Sequence, residues 1–234
     1  MYLKLFSAAP QGIDAVPVTI EVHAAPGYDF TLVGLPDGAV KEAHERIISA
    51  LTVCGFEKPK RTLTVNMAPA DIKKEGAAYD LPLAIGMLAG DERIPLTKLS
   101  DYMIMGELSL DGSLRPIQGV LPIALCARKM GLRGIILPYD NAAEAAVVKE
   151  IEVYGMTSLN EVITFLNAKT QEQTESLQVL DVFRPYTIDI EQIFNSSYQG
   201  GPDTADFSDV RGQENVRRAM EVAAAGGHNM LMVG

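Results

Sequence analysis

Tryptophan is absent from this 234-residue chain, cysteine occurs twice and histidine three times. Cys54 and Cys126 are too few to build a zinc module, and they argue against a disulfide framework, so a reduced, cytoplasmic setting is expected. His23, His44 and His228 lie far apart and lack the spacing of a metal site. No apolar run approaches the roughly 20 residues of a membrane-spanning helix, and the N-terminus has no apolar stretch of signal-peptide length. Positive charge is also short: 20 Lys and Arg stand against 30 Asp and Glu, a net charge of -10. A surface that grips nucleic acid or anionic lipid over its whole extent is thereby excluded, although a local basic patch is not.

What is present is ordinary globular composition, 47% hydrophobic and 21% charged, in a chain long enough for one domain and an additional piece. The charge is uneven. Between residues 170 and 209 stand Glu172, Glu175, Asp181, Asp189, Glu191, Asp203, Asp206 and Asp209 against the single base Arg184. This polar, turn-rich stretch reads as a connector with short ordered pieces such as residues 186–194. The expected organisation is a mixed α/β domain over 1–168, an acidic linker over 169–205, and the beginning of a further domain over 206–234.

Within the first domain, Val16, Val18, Ile20 and Val22 alternate as on a strand, and so do Leu63, Val65 and Met67. Between them Val40, Ala43, Ile47, Ile48 and Leu51 form a helical stripe, with Asp37 as N-cap and Gly55 as C-cap. Residues 80–90 read as a helix apolar on nearly all sides. Residues 102–119 read as a hairpin turning at Asp111-Gly112. There follow a helix over 121–129 closed by Gly131, a buried strand near Ile135, an Ala-rich helix from Asn141, a strand over 151–155, and a helix from Ser158 whose Glu161 completes a capping box. The methionines read as core filler.

The polar loop before the helix at Asp80 contains Gly76, and backbone N–H groups at such a helix start can hold an anion; a flexible loop feeding a packed helix is the plainer reading. Lys74-Glu75-Gly76-Ala77-Ala78 resembles the Lys-Asp/Glu-Gly-Pro-Ser nucleophile loop of the Lon protease domain. The stretches Gly106-Glu107-Leu108-Ser109-Leu110-Asp111-Gly112 and Pro116-Ile117-Gln118-Gly119-Val120-Leu121 resemble two further Lon motifs in the same order. The resemblance implies a Lon-like, ribosomal-protein-S-five-domain-2-like α/β fold with a mixed sheet. Lon acts through a Ser–Lys pair, in which the lysine takes the serine proton. Here Ala78 and Leu121 occupy those places, so no catalytic residue and no peptidase activity are expected. A peptidase with another nucleophile is the disfavoured alternative, because no His or Lys is spaced to activate Ser109 or Ser113.

The last segment places Val216, Ala219, Met220 and Ala223 on one helical stripe, then Gly226-Gly227, then a buried strand over 230–233 that delivers Gly234. A strand ending on glycine is how a Gly-x-x-x-x-Gly-Lys-Ser/Thr phosphate loop begins, but that loop is not among these residues. Asp209-Val210-Arg211-Gly212-Gln213 resembles the adenine-lining motif of magnesium-chelatase-class AAA+ ATPases. Together with the stretches over 29–51 and 65–84, the chain resembles the N-terminal part of the YifB/ComM-type magnesium-chelatase-like AAA+ family.

That resemblance implies ATP and Mg2+ as cofactors of a longer protein, with Val210, Gly212, Gln213 and Gly234 as adenine and phosphate-loop positions and no bound cofactor for these residues alone. It also implies a homo-hexamer, DNA as partner, and ComM-like branch migration in natural transformation. No membrane, metal or tetrapyrrole site is expected. From the residues themselves, Lys58, Lys60, Arg61, Lys73 and Lys74 are the clusters able to meet phosphate, with Phe56 and Tyr79 as stacking candidates. Solvated loop charges balanced by nearby acids are the plainer reading of the same residues. A module that recruits a recombination partner through the acidic connector is a further alternative. The segment after Asp206 is expected to be weakly anchored.

Overall fold

The computed structural model describes residues 1–168, 170–189 and 211–232. Two compact units divide the chain, Met1–Ile188 and Asp189–Gly234.

The first unit is built on a seven-stranded sheet of order β3-β4-β2-β1-β5-β8-β9. Strands β1 (Tyr2–Gln11) and β2 (Asp14–Pro26) form a long antiparallel hairpin, with Leu5 opposite Ile20 and Leu3 opposite Val22. Strand β4 (Arg61–Ala68) runs antiparallel to β2 and parallel to the short edge strand β3 (Phe30–Val33). On the other side, β5 (Tyr102–Ile104), β8 (Gly134–Pro138) and β9 (Glu152–Met156) continue in parallel from β1. The alternation seen in the sequence is the burial pattern: Val18, Ile20, Val22, Leu63, Val65 and Met67 face the core, while Val16 is only half-buried.

Helix α1 (Gly38–Val53) starts where Asp37 accepts a hydrogen bond from Val40 N–H at 2.8 Å, and it buries Val40, Ala43, Ile47 and Leu51. Its C-cap is Cys54, and Gly55 follows with φ 87°. Helix α2 (Asp80–Gly90) is buried at every residue, as a helix apolar all round must be. Helices α3 (Val120–Lys129), α4 (Ala142–Ala145) and α5 (Leu159–Asn167) complete this part.

Three local expectations are corrected. The hairpin at Asp111-Gly112 is confined to β6 (Glu107–Leu108) and β7 (Leu114–Arg115), because Tyr102–Ile104 is claimed by the central sheet. The Ala-rich helix is a single turn, entered through a 3-10 turn over Tyr139–Asn141. Glu161 reaches past Ser158 to accept from Thr157 N–H at 2.6 Å and Thr157 Oγ1 at 2.8 Å, so Ser158 caps α5 without a reciprocal box.

Residues 170–188, read from the sequence as linker, pack on this unit. Helix α6 (Gln171–Leu177) opens with a complete capping box at Thr170 and Gln173. Lys98 Nζ donates to Thr174 Oγ1 at 2.8 Å and to the Phe165 carbonyl at 2.9 Å, Phe183 is buried, and Tyr186 N–H donates to the Val153 carbonyl at 2.7 Å. Of the ordered piece expected over 186–194, residues 186–189 have no regular structure and 190–194 lie outside the described residues.

In the second unit α7 (Glu214–Gly226) has no buried residue. The strand expected over 230–233 is not formed at 230–232, where Leu231 and Met232 are exposed and no pairing partner is present among the described residues; Val233 lies outside them. Among the described residues, no helix is long and apolar enough to cross a membrane.

Candidate functional site

The loop between β4 and α2 is shaped by a lysine turned inward. The Lys74 side chain is fully buried, and its Nζ donates to the carbonyls of Gly34, at 3.0 Å, and Pro69. Burial pushes its pKa below the ordinary lysine value, with Asp71 pulling weakly the other way. Asp37 N–H donates to the Lys74 carbonyl at 3.1 Å and Lys74 N–H donates to that of Leu35 at 3.3 Å, so the start of α1 and this loop are stitched together. Gly76, at φ 78°, then lets the chain turn, and its N–H donates to Asp37 Oδ2 at 3.1 Å. A carboxylate of the chain itself thus occupies the Gly76 N–H that the anion reading required.

From Gly76 the chain enters a 3-10 turn, Ala77–Tyr79, that leads directly into α2. Gly106 clamps this junction from both sides: its N–H donates to the Ala78 carbonyl at 2.8 Å and its carbonyl accepts from Leu81 N–H at 3.0 Å. The first residue of α2, Asp80, is buried and meets Arg46 of α1 in a two-armed pair, both arms at 2.9 Å. Burial raises the Asp80 carboxyl above the ordinary carboxylate value against the downward pull of Arg46. Tyr79 is buried too and donates to the Ala8 carbonyl at 3.2 Å, and burial raises its phenol pKa.

On this framework lies a cleft of about 580 Å³. It is lined by Ala77 and Ala78, by Met105 and Glu107, and by a wall of Pro116, Ile117 and Gln118. That wall is set by Asn141, whose side chain accepts from Ile117 N–H at 2.8 Å and donates to the Ile117 carbonyl at 3.0 Å. Glu144 likewise accepts from Leu121 N–H at 2.9 Å. The sequence marked Asn141 only as the start of a helix and Glu144 not at all, since nothing in their spacing shows a partner more than twenty residues away.

Ala78, the position that the resemblance to Lon assigned to the serine, lines the cleft. Leu121 is not among the lining residues, and its side chain is partly exposed. The lining residues include no serine, threonine, cysteine, lysine or histidine, and Tyr79 is the one that carries a hydroxyl. Among the described residues, no group of three or more His, Cys, Asp or Glu is placed to hold a metal ion.

The basic candidates separate. Lys74 is buried and does not reach a surface ligand, which removes it from the phosphate-contact set, and the buried ring of Tyr79 cannot stack on a base. Lys60 pairs with Glu57 at 2.7 Å, Arg61 with Glu92 at 2.8 Å and Lys73 with Glu75 at 2.6 Å. Lys58 is exposed on the same turn as Lys60, and Phe56 is half-buried against the core. Gly212, at φ 74°, and Gln213, at φ 55°, are exposed just before α7. Val210 and Gly234 lie outside the described residues.

Comparison with known proteins gives one family twice. Residues 20–141 match the family model for subunit ChlI of Mg-chelatase, and residues 206–234 match that for magnesium chelatase, subunit ChlI. The chain is 41% identical over 233 residues to the competence protein ComM of Haemophilus influenzae, covering 98% of this chain and 43% of that protein. It is 40% identical over 227 residues to the uncharacterized protein YifB of Escherichia coli, covering 97% of this chain and 41% of YifB. These residues thus span less than half the length of either relative. Lon protease 2 of Bacillus subtilis is 25% identical over 144 residues, 59% of this chain and 25% of that enzyme, in keeping with the Lon-like fold.

Proposed function

Because the chain belongs to the magnesium-chelatase-like ChlI family, in the branch that holds ComM and YifB, we propose that it is the N-terminal part of an ATP-driven protein acting on DNA. In this reading the first unit is a Lon-like domain without peptidase activity, and the second opens an AAA+ motor. The protein works in the cytoplasm as a homo-hexamer, and branch migration during natural transformation is the activity its likeness to ComM suggests.

The observation that carries the reading is the match of residues 206–234 to the ChlI subunit, on a segment where Gly212 and Gln213 stand exposed at the head of α7. With Val210 they would line an adenine, and Gly234 would open the phosphate loop. ATP with Mg2+ would supply the phosphoryl-transfer chemistry there, from loop residues that follow in sequence. The absence of a hydroxyl nucleophile at Ala78 supports a silent peptidase cleft.

The test uses a longer protein that includes the Gly-x-x-x-x-Gly-Lys-Ser/Thr loop. ATP turnover should rise on branched DNA and vanish when the loop lysine is replaced, and casein should remain intact throughout. A protein that turns over no ATP, or one that digests casein, refutes the corresponding half of the reading.

A further inference from the structure

We infer that the cleft beside Ala78 is a docking site for an extended cationic peptide, a short stretch of a partner protein in which arginine or lysine alternates with apolar residues, held without being cut. The inference goes beyond the proposed motor activity and does not depend on it, since it concerns the first unit alone.

The cleft's volume of about 580 Å³ falls among those of ligand sites, roughly 300–1,000 Å³. Its lining joins apolar residues that are buried or half-buried, Ala77, Ala78, Met105 and Ile117, to three carboxylates, of which Glu75 is exposed and Asp37 and Glu107 are half-buried. No lysine, arginine or histidine lines it. Two nearby cations are spent elsewhere. Lys74 points inward to the Gly34 and Pro69 carbonyls, and Arg46 is committed to Asp80. Lys73, which lines the adjoining hollow, pairs with Glu75 at 2.6 Å, and because so exposed a pair is weakly held a peptide cation can exchange with Lys73 there.

Each candidate occupant must satisfy both the apolar lining and the carboxylates. A polyanion such as DNA would set phosphates against three carboxylates, which disfavours it. A bare metal ion is disfavoured because these carboxylates do not converge on one point. A peptide with alternating character meets both demands: alternate side chains of an extended strand point to opposite sides, so apolar groups can enter against the buried lining while guanidinium groups meet the more exposed carboxylates. The walls are fixed beforehand, by Asp37 holding Val40 and Gly76 and by Asn141 holding Ile117, which lowers the ordering cost of binding.

The test is fluorescence anisotropy of the whole chain with two labelled peptides, one alternating leucine with arginine and one alternating leucine with glutamate, at low and high salt. The arginine peptide should bind about tenfold or more tightly than its glutamate counterpart, and less so at high salt. The double variant Glu75→Gln/Glu107→Gln should weaken it about fivefold or more. Ala78→Phe, which fills part of the cleft and leaves the charges, should weaken it as well. Thermal midpoints measured alongside show whether each variant is folded, and the surface carboxylate pair decides if Ala78→Phe is not. Failure of the parent chain to bind, equal binding of both peptides, or undiminished binding by the folded variants overturns the inference, and so does cleavage of the peptide seen by mass spectrometry.

Discussion

A charged side chain removed from water must find its partners inside the fold, and three buried residues of the first unit do so differently. Lys74 spends its charge on backbone carbonyls, Asp80 on a guanidinium, and Lys98 on a hydroxyl, a carbonyl and the face of Phe165 at 4.2 Å. Arg46→Ala leaves the Asp80 carboxylate buried without its partner, and should cost about 3 kcal/mol at neutral pH. Without Arg46 the Asp80 carboxyl rises further, so the folded variant takes up a proton that the unfolded chain does not. The variant's stability therefore falls as pH rises through the window above the ordinary carboxylate value, and its deficit should be smaller at pH 5 than at pH 8 in urea titrations. Gly34 carries a steric constraint instead: at φ 101°, a Cβ there would stand 2.3 Å from the Met67 carbonyl oxygen. Gly34→Ala should lose about 3 kcal/mol or more, against about 1 kcal/mol for Gly131→Ala, which meets nothing within 4 Å. Equal losses would show that the close approach to Met67 does not matter.

At the scale of elements, α6 is held to the sheet domain through Lys98. Burial, with Arg133 adding to it, lowers this lysine from 10.5 to about 8, while Glu152 and Asp101 pull it upward. Between those values the unfolded chain binds more protons than the folded one, so this group's contribution to stability rises with pH across the window. The stability of the parent chain relative to Lys98→Met should therefore increase between pH 7.5 and 9.5, by on the order of 1–3 kcal/mol. A flat difference would place the lysine's charge in water. The elements themselves were largely legible. Asp37 and Ser158 announced their helices because capping is a local event, and α2 kept the limits that its apolar run suggested. Pairings over long separations were not legible. Lys73-Lys74-Glu75 reads as a solvated run, and only carbonyls at Gly34 and Pro69, brought in by the fold, turn the middle residue inward. The pairing of Asn141 with Ile117 was silent for the same reason. The expected strand over 230–233 failed at 230–232, where an apolar run finds no neighbouring strand among the described residues to take its backbone hydrogen bonds.

For the molecule as a whole, charge decides where a polyanion can approach. The carboxylates of the cleft disfavour it there, and the turn carrying Lys58, Lys60 and Arg61, where Lys60 and Arg61 pair with Glu57 and Glu92, is the larger of the expected phosphate-contact clusters to test. Replacing all three by glutamine should flatten the salt dependence of DNA binding by the longer protein, the slope of log affinity on log salt shrinking by up to about 3. An unchanged slope would assign the phosphate contacts to another surface.

The strand order carries a consequence for how the protein is made. Strands β1 to β4, which form one end of the sheet, all come from the first 68 residues, yet β1 has its second neighbour, β5, only at Tyr102–Ile104. At the roughly 5–20 residues per second of synthesis, an antiparallel half-sheet can form on the ribosome while the outer edge of β1 stays open for about 2–7 seconds. Over that interval the nascent chain exposes an unpaired edge able to join another polypeptide, which marks this stage as the point where a chaperone would act and where crowded polysomes would favour misassembly.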